Sequence, residues 1–207
     1  MTGRLPAVVA ALALIAATAW AQPAADALSE FRMGNHARAV EIGMAEIARG
    51  GRDMETYVVL CRSLVALGRF DEALRFANAA RAINRHDPRV IEVLGEIYFN
   101  LGNNAEALRY FQHYAAIAPE GNRIHTTYFF VGEIFIRKGM FRHADIALST
   151  AVHKSPGNPE WWARLAFARE RAGELLPAAS AYERALALNG RHADALRGLE
   201  RVRVALR

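Results

Sequence analysis

Around Gly102 the apolar positions follow a helical beat. Leu94, Ile97, Tyr98 and Leu101 stand at i, i+3, i+4 and i+7, and beyond the glycine Ala107, Leu108, Phe111, Tyr114 and Ala115 take up the same spacing. That periodicity predicts one amphipathic helix on each side of the glycine. The glycine itself supplies the positive φ needed to reverse the chain within a few residues. The phrase then recurs: LGEIYFNLG at 94–102 is echoed by VGEIFIRKG at 131–139.

Gly34, Gly68, Gly102, Gly139 and Gly173 mark the period, with spacings of 34, 34, 37 and 34. Ala39, Ala73, Ala107 and Ala144 each follow their glycine by five residues, and Ala179 is assigned as the fifth member of that series. A helical hairpin of this length cannot bury both of its faces alone, so the repeat predicts an all-α chain of stacked antiparallel hairpins.

These residues resemble the tetratricopeptide repeat (TPR) family. The unit from Pro88 supplies Ile91, Leu94, Gly95, Tyr98, Gly102, Ala107, Phe111 and Pro119; the unit from His125 supplies Tyr128, Val131, Gly132, Phe135, Gly139, Phe141, Ala144, Leu148, Ala151 and Pro156. The resemblance implies a right-handed α-solenoid. We divide it into a degenerate unit at 22–53, units at 54–87, 88–121, 125–158 and 159–192, and a capping helix at 193–206 with Leu196, Leu199 and Val202 turned inward. The long spacing is assigned to an insertion at Asn122, Arg123 and Ile124, and Tyr114 is larger than the small residue the pattern asks for.

Ahead of the repeat lies a different kind of segment. Arg4 precedes the apolar run 7–19, and Ala19-Trp20-Ala21 places small residues before Gln22. This reads as a secretory signal cleaved after residue 21, hence a periplasmic protein. The alternative is an inner-membrane anchor formed by residues 7–21, although the run is short for a bilayer. Subtracting residues 1–21 removes one Arg from 26 basic residues and none of the 21 acidic ones, leaving 25 against 21, a net of +4. Five arginines between Arg191 and Arg207 carry much of it, more in keeping with a solvated helix face than with nucleic acid.

Candidate chemistry is sparse. The single Cys61 rules out an internal disulfide. It shares its repeat position with Gly95, Gly132 and Ala166, so a small buried hydrophobe is expected there. Seven histidines show no His-Glu-x-x-His and no i, i+4 pair, and neither a phosphate loop nor a Gly-x-Ser-x-Gly elbow is present. We expect no metal, no cofactor and no catalysis.

The family resemblance implies a concave groove lined by the first helix of each unit. Mapped onto this sequence, the groove candidates are Arg62, Glu92, Glu96, Phe99, Asn100, Phe129, Glu133, Ile136, Arg137, Phe167 and Arg171. Phe99, Phe129 and Phe167 are expected to anchor an apolar face of a partner protein. Glu92, Glu96 and Glu133 are expected to make the groove centre acidic and so to favour a basic or amphipathic segment, with Glu133 also paired to Arg137 on its own helix. The family's lysine-asparagine clamp for a C-terminal carboxylate is missing, since Val58 and Arg62 occupy those places. The expected role is a protein-binding scaffold. The alternatives are a transport-accessory protein that holds a small hydrophobic ligand and docks on a periplasmic solute-binding component, and a part of a membrane-associated complex.

Overall fold

The computed structural model describes residues 26–207; the signal segment lies outside the described residues. Eleven helices follow one another, with no strand among the described residues: α1 (Ala27–Arg32), α2 (His36–Ala48), α3 (Met54–Ala66), α4 (Phe70–Ile83), α5 (Pro88–Asn100), α6 (Asn104–Ile117), α7 (Ile124–Arg137), α8 (Phe141–Lys154), α9 (Pro159–Ala172), α10 (Leu175–Leu188) and α11 (Ala193–Ala205). None is long and apolar enough to cross a membrane.

The start and stop of each helix are written locally. Asp53 and Asp87 cap α3 and α5 by accepting the Thr56 and Arg89 amides at 3.0 and 2.9 Å, and Pro88 opens α5 with its φ already helical. At the other end of α3, Gly68 adopts φ 72°. Its amide bonds back to Val65 O at 3.0 Å while the Arg69 amide reaches Leu64 O at 2.9 Å. These are the paired bonds of a Schellman turn. The same pair closes α5 at Gly102 and Asn103, and α7 at Gly139 and Met140.

Consecutive helices pack as antiparallel neighbours. In addition, each odd-numbered helix touches the next odd one, α1 with α3 through α9 with α11, whereas no even-numbered helix touches another even one. The odd helices therefore form a close inner layer and the even helices splay outward, so the stack is a curved solenoid whose inner wall is built by α3, α5, α7, α9 and α11.

Small residues set the spacing within a hairpin. A methyl group on Gly95 would come within 2.6 Å of the Phe111 ring, and one on Gly132 within 2.5 Å of Leu148. Cys61 and Ala166, at the equivalent places, are 1% and 0% exposed. Cys61 Sγ lies 3.7 Å from Ala73 O, and burial pushes its thiol up to about 12, so it is a neutral packing group. Tyr114 fits because Gly121 leaves room for its hydroxyl, which accepts a hydrogen bond from the Arg123 amide at 3.3 Å.

Two sequence assignments are corrected here. The fifth turn alanine is Ala178, fully buried, whereas Ala179 is only partly covered; five residues past Gly173, Ala178 faces α9. In α11 the inward stripe is Ala195, Gly198, Leu199 and Val202, and Leu196 is 50% exposed. The ring of Tyr182 packs directly over Gly198 and so fixes the rotation of α11.

Candidate functional site

The inner wall is where the first helix of every unit presents one stripe of side chains to the same space. Its central acids, Glu92, Glu96, Glu133 and Glu170, are all committed. Glu92, with a side chain 0% exposed, accepts Arg123 Nε at 2.7 Å and Arg62 Nη2 at 3.1 Å. Glu96 takes the other arm of Arg123 at 2.7 Å. Burial, reinforced by the neighbouring charge of Glu92, holds the Glu96 carboxyl above its usual range, against the pull of Arg123. Arg123 comes from the loop between α6 and α7, where it is the residue preceding α7. The segment assigned to an insertion between units thus delivers the cation that neutralises the groove centre.

The next rungs follow the same rule. Arg164 grips Glu133 with two bonds of 2.6 and 2.8 Å, and Arg201 grips Glu170 at 2.8 and 2.9 Å. Burial alone would raise Glu170, yet Arg201 and the Tyr182 hydroxyl, 2.6 Å away, hold it below the usual carboxylate range. In each rung the arginine stands 31 residues after its glutamate. For the last two rungs this is a 34-residue repeat less about one helical turn, the offset between facing side chains on successive inner helices, whereas Arg123 reaches Glu92 across the 37-residue interval from the loop ahead of α7. The expected Glu133–Arg137 pair does not form, because Glu133 turns to the following unit instead.

The acidic groove centre anticipated from Glu92, Glu96 and Glu133 is accordingly absent as a free charge. What remains open carries the other sign. Arg137 and Arg171 are exposed and form no ion pair among the described residues. Arg137 lies 3.8 Å above the Phe99 ring and donates through Nη1 to Phe99 O and Asn104 Oδ1, both at 3.2 Å. Arg171 lies 4.7 Å above Phe141 and 5.8 Å above Phe167.

The three phenylalanines separate. Phe99 is only 8% exposed, closed between Phe130 and the Arg137 guanidinium; it is a seat for that arginine and not an open anchor. Phe129 and Phe167 are half-buried. Phe129 stacks on Trp161 at 5.2 Å, and His125 adds a tilted contact at 5.7 Å to the same indole. Trp161 was missed in the sequence, although the Trp161-Trp162 doublet signalled it; both indoles pack against the C-terminal core, and Trp161 also stacks with Phe129. Ile136 packs against the C-terminal core, and Asn100 is exposed with its side-chain amide turned back to Glu96 O at 2.8 Å.

Among the described residues no cluster of His, Cys, Asp and Glu could hold a metal ion. Near the C-terminal end of the wall a cavity of about 260 Å³ is lined by Arg164, Phe167, Tyr182 and Arg201 with Glu160 and Asp194. Its arginines are those of the two last rungs.

Residues 54–127 match the family model described as tetratricopeptide repeat. The human cilia- and flagella-associated protein 70 is 26% identical over 146 residues, covering 70% of this chain but 13% of that protein. Among solved structures, the Cut9–Hcn1 hetero-tetramer of the APC/C superposes with a TM-score of 0.77 at 19% identity, over 85% of this chain and 35% of that one. A thermophilic TPR protein of Thermus thermophilus gives 0.65 at 19% identity, over 86% and 95%. At such identities these structures speak for the fold, which they share along most of the described chain. The repeating glycine turns, the layered helices and the matched segment 54–127 together give this chain the fold of tetratricopeptide repeat proteins.

Proposed function

We propose that the protein is a non-catalytic scaffold that holds a segment of a partner protein against its inner wall, in the periplasm after loss of residues 1–21. TPR domains as a class mediate protein–protein contacts, and the Cut9–Hcn1 relative is itself part of an assembly. One observation carries the reading for this chain: Phe129, Trp161 and His125 form a half-buried aromatic strip across the α7–α9 seam. The rings of Phe129 and Trp161 pack against the C-terminal core on one side and stay partly open on the other, and rings of this kind are what partner-binding surfaces are enriched in.

Site-specific photocrosslinking in cells tests it. A photoreactive residue at Phe129 or Ile136 is expected to give a discrete adduct with another protein, and one at Ile146 on the outer layer is not. Adducts from Ile146 alone, or from none of the three, would refute the scaffold reading. The N-terminal mass of the purified protein tests export: a chain beginning at Gln22 supports it, and a retained leader favours the anchored alternative.

A further inference from the structure

We propose that the part of the inner wall edged by Arg137 and Arg171 takes an acidic amphipathic helix from the partner, with carboxylates seven residues apart meeting the two guanidiniums. The inference rests on the inner wall being the docking face and adds the charge and spacing of what docks. It reverses the basic segment that the sequence led us to expect.

Charge complementarity is the first argument. Glu92, Glu96, Glu133 and Glu170 are each matched to an arginine at 2.7–2.8 Å or closer, so the middle of the wall beside Arg137 and Arg171 offers a basic ligand none of these acids; the exposed Glu160 and Asp194 stand apart, at the C-terminal cavity. Arg137 and Arg171 are positioned instead by aromatic faces and, for Arg137, by a carbonyl and an amide oxygen. Such partners fix a guanidinium in place without cancelling its charge. Exposed Lys138 adds to the same edge. Glu170, the acid adjoining Arg171 in sequence, is spent on Arg201.

Spacing is the second. Arg137 and Arg171 close successive inner helices, each reaching back over an aromatic ring near the preceding turn, and neighbouring packed helices lie about 8–10 Å apart. Seven residues of α-helix rise about 10.5 Å and return to nearly the same face. An apolar residue midway between the two acids would fall between the arginines, toward half-buried Ile136 and Phe167. Arginine also suits the task chemically, because its fork can hold a carboxylate with two bonds.

The test uses the full chain and three fluorescein-labelled, 18-residue helix-forming peptides. One carries Glu at i and i+7 with Leu at i+3 and i+4; a second has Lys in place of both Glu; the third moves the second Glu to i+5. Anisotropy titrations are expected to show the first binding at least tenfold tighter than either of the others, and weakening as salt is added. The double variant Arg137→Gln/Arg171→Gln should lose at least tenfold while keeping its circular dichroism spectrum. The Lys pair should retain part of the affinity, and Ile146→Ser all of it. Equal or tighter binding of the Lys peptide, full binding by the Gln double variant, or no binding of any peptide overturns the proposal. Binding of the Lys peptide that is lost in Phe129→Ala would sink this inference alone and leave the scaffold standing, whereas photocrosslinks confined to Ile146 would remove the scaffold itself.

Discussion

Arg123→Met keeps the aliphatic stem of the side chain and removes the guanidinium that bridges Glu92 and Glu96. Both contacts are 2.7 Å, the Glu92 side chain is 0% exposed and that of Glu96 is 17% exposed. Removing one partner of a buried ion pair costs about 3–5 kcal/mol, because a charge is left behind without compensation. Arg62 still reaches Glu92 at 3.1 Å, and Arg123 is itself 31% exposed, so the low end of that range, about 3 kcal/mol, is expected. For a chain of this size that lowers the melting midpoint by about 6–12 °C.

The loss should depend on pH in a defined direction. The Glu96 carboxyl already sits above its ordinary value in the fold, so it binds its proton more tightly there than in the open chain. Its own contribution therefore favours the fold at low pH and fades as pH rises through the raised value. Arg123 opposes that shift, and its removal raises the carboxyl further. The gap between Arg123→Met and the parent is then widest near pH 7 and narrows as pH falls into the raised carboxylate range. Urea melts followed by circular dichroism across that interval measure it, with Glu96→Gln as the second arm of a cycle. A deficit that stays constant with pH, or that adds fully to that of Glu96→Gln, would refute the ion-pair account and leave Arg123 a packing residue.

Other outcomes follow from the packing. Phe111→Ala, at a ring that is 0% exposed, should cost about 3–5 kcal/mol in a denaturant melt, with or without a partner. Gly198→Ala would drive a methyl group into the Tyr182 ring and is expected to cost about 1–3 kcal/mol, read as faster hydrogen exchange in α11 ahead of the rest of the chain. Cys61, 1% exposed with its thiol raised to about 12, should resist an aromatic disulfide reagent in the folded protein at pH 8 and react fully in denaturant; rapid native labelling would contradict its burial.

Those features legible in the sequence are the ones a single unit decides for itself. Gly68, Gly102 and Gly139 could be read as turns because the need for positive φ is local, and Leu94, Ile97 and Phe111 because the helical beat is local. Leu196 was misplaced because the rotation of α11 is set by Tyr182 on another helix, and no periodicity within α11 reports it. The groove charges failed for the same reason at longer range. Glu133 has Arg137 one turn away, which looks like its natural partner, yet the stack brings Arg164 closer in effect by offering both arms at once. A signal for this did exist, since Glu92 and Arg123, Glu133 and Arg164, Glu170 and Arg201 repeat one separation. It becomes visible only when the spacing is sought between units and not along a helix.

That separation also bears on how recognition can be arranged on a wall of this kind. In a stack where each unit touches only its neighbours, stability is a sum of unit terms and interface terms, and each Glu–Arg rung lies at an interface between inner helices. A carboxylate held there by two arms of an arginine cannot also greet a ligand without breaking the interface. Recognition therefore has to fall on side chains outside the ladder. On the inner wall those are the aromatic strip at Phe129 and Trp161 and the ring-seated cations Arg137 and Arg171. Because every acid of the ladder is consumed in holding the units together, the charge left for a partner beside Arg137 and Arg171 is positive even though the helices that carry it are rich in glutamate.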